Sequence, residues 1–154
     1  MQQQITSAFG HRRRPAIVTN IEVCSSLRDD ARHFEGMDWS QVTADDWKRY
    51  GDAFFGLSPE AFAYFLPSVL ALSFDESNLP LVVADALITS LDTSGDPELW
   101  DDWFSERFRQ LTSPELKVLQ DWSTLYLAGR EKGEGSEFVR VRETLAMLQL
   151  VLEC

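Results

Sequence analysis

Between Tyr50 and Glu106 the chain has no lysine or arginine, a gap of 57 residues in a sequence of 154. Histidine is almost as scarce, with His11 and His33 alone, and cysteine is limited to Cys24 and the terminal Cys154. Each shortage narrows the functions open to the chain. Neither histidine stands in a zinc-binding spacing with a cysteine, and the nine residues from Cys24 to His33 define no site. Two distant cysteines fit a reduced cytosolic pair better than a single disulfide. A Gly-rich phosphate loop, a Gly-x-Ser-x-Gly elbow and a Cys-x-x-Cys pair are all missing. No apolar run approaches the ~20 residues of a membrane span. The N-terminus also lacks the basic and apolar regions of a signal peptide. These absences predict a cytoplasmic, non-enzymatic protein with no catalytic residues, no metal and no cofactor.

What the gap does contain is acid. Eleven carboxylates fall within it: Asp52, Glu60, Asp75, Glu76, Asp85, Asp92, Asp96, Glu98, Asp101, Asp102 and Glu106. Residues 1–49 carry seven acids against seven Lys/Arg, and residues 107–154 repeat that balance, so the formal charge of -11 belongs to the middle third. A one-signed field of this kind attracts cationic partners and speeds their encounter. It excludes nucleic acid and anionic membrane as partners through a general basic surface, because that mode needs Lys/Arg to displace counterions. The single basic cluster, His11 to Arg14, is too short for a nucleic-acid arm and reads as a solvated loop folded against acidic surface.

Core material is ample. The apolar fraction is 44%, with five Trp, three Tyr and ten Phe. A chain of this length forms one domain and buries roughly two-thirds of its unfolded surface. A helix-start pattern recurs in Ser58-Pro59-Glu60, Asp96-Pro97-Glu98 and Ser113-Pro114-Glu115. A capping oxygen, a proline with no N–H to lose and an acid at the positive dipole end all suit a helix N-terminus. The pattern predicts helices over about 3–9, 24–34, 43–55, 59–74, 80–91, 97–110, 114–128 and 137–152, with a charged turn at 130–135. Thr43 and Asp46 are spaced for a capping box at the third of these. The helix over 59–74 is apolar on more than one face, which places it at the centre. Pro67 inside it removes a backbone bond at a cost of about 3 kcal/mol if uncompensated, and is expected to kink the helix without ending it. No period-two alternation persists beyond a short extended stretch at 16–18. The expected architecture is all-α, a compact single-domain bundle of about seven to eight helices.

The string Leu57-Ser58-Pro59-Glu60-Ala61-Phe62-Ala63-Tyr64-Phe65-Leu66-Pro67 resembles a motif of a small, functionally uncharacterised bacterial protein family. Looser similarity extends to Ile5, Ala8, Phe9, Pro15 and Trp39, and to the Leu111-x-Ser113-Pro114-Glu115 stretch. The resemblance implies a small helical domain and carries over no catalytic residue.

Glu98, Asp102 and Glu106 recur every four residues, with Asp101 beside them, which on one helix would place three like charges on one face. With no Lys/Arg in the window to relieve them, they make a candidate binding ridge. The loops at 75–78 and 92–98 add Asp75, Glu76, Asp92 and Asp96. The second loop fails as a calcium site, since Gly95 is fourth and not sixth and no glutamate closes a twelve-residue loop. The expected partner-binding set is therefore Asp75, Glu76, Asp92, Asp96, Glu98, Asp101, Asp102 and Glu106. Trp39, Trp47, Tyr50, Phe54 and Phe55 cluster nearby in sequence, mostly at core spacing. Any of them exposed beside the acids becomes a candidate anchor.

These features predict a binding protein whose partner is a basic protein, most specifically an immunity protein that neutralises a toxin domain acting in the bacterial cytosol. The alternative is an adaptor or regulatory module that binds through an aromatic groove, with the acids serving solubility.

Overall fold

The computed structural model describes residues 1–130 and 136–154, without the side chains at 136 and 137. Most of the expected charged turn at 130–135 lies outside these residues. Nine α-helices and no strand occur among the described residues: α1 (Gln2–Phe9), α2 (Ser26–His33), α3 (Ala44–Arg49), α4 (Ala53–Gly56), α5 (Pro59–Leu72), α6 (Val82–Leu91), α7 (Asp102–Phe108), α8 (Ser113–Ala128) and α9 (Ser136–Glu153). Short 3-10 turns occupy Trp39–Gln41, Glu76–Asn78 and Pro97–Leu99. The all-α expectation holds.

Helix α5 is the centre. Every residue from Ala61 to Leu70 is buried, and α1, α6, α7 and the Trp39–Gln41 turn pack against it. Ser58 caps its start by accepting a hydrogen bond from the Ala61 N–H at 3.2 Å, and the helix runs through Pro67 without interruption. Two serines let an otherwise apolar helix accept buried indoles. Ser68 Oγ accepts from Trp47 Nε1 at 2.9 Å, and Ser73 Oγ, at the C-cap, accepts from Trp122 Nε1 at 2.8 Å. Both hydroxyls in turn donate to carbonyls one turn back, Phe65 O and Leu70 O, so neither the two indoles nor the two hydroxyls are left unpaired.

Two expected helices are each divided. The helix over 43–55 stops at Arg49, and α4 begins at Ala53. The Asp52 N–H at the break donates to Asp30 Oδ2 of α2 at 3.1 Å, while Tyr50 leaves the helical path to stack on His33, ring centroids 3.7 Å apart. The helix over 97–110 is also not continuous. Trp100 is extended, its indole buried and donating to Ser94 O at 2.6 Å. Asp101 then starts a new helix, α7, by accepting from the Phe104 N–H at 2.8 Å. A buried tryptophan and a second N-cap outweigh the propensity for one long helix.

The third Ser-Pro-Glu start is shifted by one residue. Thr112 is the N-cap of α8, and Glu115 closes the motif by accepting the Thr112 N–H at 2.7 Å. Asp96 caps only a 3-10 turn, accepting from the Glu98 N–H at 3.0 Å. The capping box at Thr43 and Asp46 forms as expected, with reciprocal bonds of 2.8 and 3.2 Å.

Candidate partner-binding surface

Nine acids lie between residues 75 and 106, and the fold treats them unequally. Two are reached by cations from the C-terminal third, whose charges balance. Arg140 of α9 forks onto Asp92, with Nε 2.5 Å from Oδ1 and Nη2 2.9 Å from Oδ2. Arg130 approaches Asp85 at 3.1 Å, and the same carboxylate oxygen accepts the Tyr126 hydroxyl at 2.8 Å. Burial and the Asp85 hydrogen bond push the Tyr126 phenol up to about 12.

The other seven are exposed, and among the described residues none makes an ion pair: Asp75, Glu76, Asp96, Glu98, Asp101, Asp102 and Glu106. Some are tied locally. Asp75 accepts from both the Ser77 N–H and the Ser77 hydroxyl, which hold its carboxyl below the usual carboxylate range. Asp96 and Asp101 spend one oxygen each on capping. Asp102 and Glu106 remain one turn apart on α7. Glu98 sits on the separate 3-10 turn, so the expected three-carboxylate ridge on one helix is corrected to a pair on α7 beside acids on the preceding connection. Of the eight expected site residues, Asp92 is the one held in an ion pair among the described residues, with its side chain 17% exposed.

Beside α7 lies an aromatic contact between residues 48 apart in the chain. Phe55, at 44% exposure, packs against Trp103 of α7, ring centroids 5.4 Å apart. Trp103 is half-buried, and its indole N–H donates to Phe55 O at 3.3 Å. Arg107, one turn on, sits with its guanidinium carbon 4.8 Å from the Trp103 ring centre and donates to Leu57 O at 2.6 Å. Burial pulls that guanidinium below its ordinary value, against the opposing pull of Glu106 and Asp101. Thr19 completes the clamp by donating to Gly56 O at 2.7 Å. Three successive carbonyls, Phe55 to Leu57, are therefore each captured by a different side chain. The exposed phenylalanine stands on fixed backbone.

Groups with chemical potential elsewhere are engaged in local structure. His33 Nε2 lies 2.9 Å from Asp46 Oδ1, and Cys24 Sγ accepts from Arg28 Nη2 at 3.3 Å, so the two do not form a nucleophile–base pair. Both cysteines are free and exposed. A cleft of about 410 Å³ between α1, the Trp39–Gln41 turn and α5 is lined in part by Asp38 and Ser68. Asp38 already accepts from the Ser40 N–H and hydroxyl, and Ser68 is satisfied within the core. Among the described residues no group of three or more His, Cys, Asp or Glu could hold a metal ion, and no helix is long and apolar enough to cross a membrane.

Fold and surface define a compact all-α protein with seven exposed acids between residues 75 and 106 and an aromatic pair in which Phe55 is exposed and Trp103 half-buried. No family model matches the chain, and no curated protein or solved structure is significantly similar to it.

Proposed function

We propose that this protein is a non-enzymatic inhibitor of a basic protein partner, in its most specific form an immunity protein that neutralises a toxin domain acting in the bacterial cytosol. One observation carries the reading: seven exposed acids between residues 75 and 106 keep no cationic partner among the described residues, although the fold brings Arg130 and Arg140 to two of their neighbours. Like charges left together on a surface cost stability, and a cationic partner converts that cost into attraction and a faster encounter. Asp96, Glu98, Asp101, Asp102 and Glu106 would pair with Lys/Arg of a substrate-binding cleft and exclude its substrate.

The test is co-expression with the product of the immediately upstream gene. That product should arrest growth, this chain should relieve the arrest, and the Asp101→Lys/Asp102→Lys double variant should not. An upstream product that is harmless, or relief that survives charge reversal, overturns the reading. The association rate of the purified pair should also fall steeply as salt rises from low to physiological strength, since exposed charges are screened beyond about 8–10 Å.

A further inference from the structure

We propose that Phe55 and Trp103 are the anchoring centre of this surface, and that they take an apolar side chain flanked by Lys/Arg from a basic protein partner. The proposal rests on the basic-partner reading above and adds to it where the binding energy is concentrated.

Single exposed apolar residues are ordinary on protein surfaces. This pair differs in rigidity and in what surrounds it. The Phe55 ring packs against Phe54 at 5.0 Å as well as Trp103, and Trp103 contacts Phe54 and Phe62 at 5.6 and 5.7 Å. The Trp103 indole N–H is hydrogen-bonded to the Phe55 carbonyl. Both rings are thus positioned before any partner arrives, which removes the ordering cost that weakens flexible contacts.

The rim is acidic. Asp52, exposed and without an ion pair among the described residues, lies one turn before Phe55, whose N–H donates to the Asp52 carbonyl at 3.1 Å. On α7, Asp102 precedes Trp103 and Glu106 follows one turn later, both exposed. Arg107 is the cation at the centre, but it is 8% exposed and committed to backbone carbonyls; Arg109 is exposed at the far end of the helix. An apolar centre with exposed carboxylates within one turn of each ring along the chain matches the usual division of labour in interfaces, where aromatic anchors supply affinity and rim charges steer and select. A second copy of this chain is disfavoured as the occupant, because it would face acid with acid on molecules of formal charge -11.

The experiment uses two blocked peptides of equal charge, Gly-Lys-Arg-Leu-Arg-Lys-Gly and the same peptide with glycine replacing leucine. Each is titrated at low salt into the full chain while the indole N–H resonances are followed by NMR, with Trp103→Phe assigning one of them. The leucine peptide should bind about tenfold more tightly, the value of burying one aliphatic side chain, and should shift the Trp103 indole resonance. Phe55→Ala should reduce the leucine preference to less than about twofold while the salt-sensitive binding of both peptides persists. Equal affinity for the two peptides, or a leucine preference that leaves the Trp103 resonance unmoved, overturns the anchor and leaves the acidic surface standing. Failure of both peptides to bind at low salt overturns the anchor and the basic-partner reading together.

Discussion

Arg12, in the loop after α1, forks onto Glu115 in the first turn of α8, with Nε 2.5 Å from Oε1 and Nη2 2.7 Å from Oε2. The Glu115 side chain is fully buried, and Oε2 also accepts the Thr112 N–H that starts the helix. Arg12 donates further to Gln110 O at 2.6 Å. One guanidinium therefore joins the N-terminal loop, the connection that follows α7 and the N-cap of α8. The basic cluster at 11–14 is accordingly less solvated than its composition implies, and Arg14 also donates to the Gly36 carbonyl at 2.7 Å.

Replacing Arg12 with methionine strands a buried carboxylate. Breaking a buried pair from one side costs about 3–5 kcal/mol, against the roughly 5–15 kcal/mol that holds a typical domain folded. Arg13→Met, one residue away and exposed, should stay within about 0.5 kcal/mol. Urea unfolding of the two variants, compared at equal slope, measures the difference.

Gly56 lets α2 and α4 approach at backbone distance. A Cβ there would overlap the carbonyl of Leu27, and backbone cannot swing aside as a side chain can. Gly56→Ala is expected to destabilise by about 1–3 kcal/mol or more. Gly36→Ala serves as the contrast: its φ is +79° with open space around it, so its cost is conformational only, about 1–2 kcal/mol. Thermal unfolding should show a loss for both, but only Gly56→Ala should loosen the α2–α4 contact, read as faster amide exchange at Leu27 and Gly56.

Asp46 should contribute to the acid limb of stability. Burial pulls its carboxyl up, but hydrogen bonds from the Thr43 N–H and hydroxyl and from His33 outweigh this and hold it below its ordinary value of 3.8. A carboxyl depressed by folding stabilises fully above the unfolded value, and the contribution is lost as pH falls through the folded one. Asp46→Asn should lower stability near neutral pH by about 1 kcal/mol and flatten the decline below about pH 4. Asp38 and Asp75, also depressed, keep part of that limb.

Tyr126 works at the alkaline end. Burial first, then the hydrogen bond and charge of Asp85, raise its phenol to about 12 against the opposing Arg130. A group raised by folding stabilises fully below its unfolded value and loses that contribution as pH rises through the folded one. The window is therefore about pH 10–12. Tyr126→Phe should remove this part of the decline, leaving a shallower stability curve above about pH 10 in denaturant titrations.

Much of the fold was legible because its signals are local. Ser58 caps α5, and Thr43 with Asp46 forms the capping box, as their side chains and spacing require. The breaks at Tyr50–Asp52 and Trp100–Asp101 were missed although Gly51 and the Asp101-Asp102 pair mark them. What decides the first break is a partner distant in sequence, Asp30 for the Asp52 N–H, and what decides the second is the burial of the Trp100 indole on the Ser94 carbonyl. The acidic window was visible as composition, but its usable part was not. Arg130 and Arg140 return from the C-terminal third to claim Asp85 and Asp92, and no count along the chain predicts which acids they reach.

By itself the sequence determined an all-α protein with a buried Pro67-containing central helix and a negative middle third. Hydrophobic period, capping chemistry and charge are properties of neighbours along the chain. Only the tertiary structure decided which carboxylates stay exposed without a cation, that Glu98 leaves the face of Asp102 and Glu106, and that Phe55 emerges beside Trp103. Those outcomes depend on where α4, α7 and α9 are held, and helix packing and long-range hydrogen bonds set those positions.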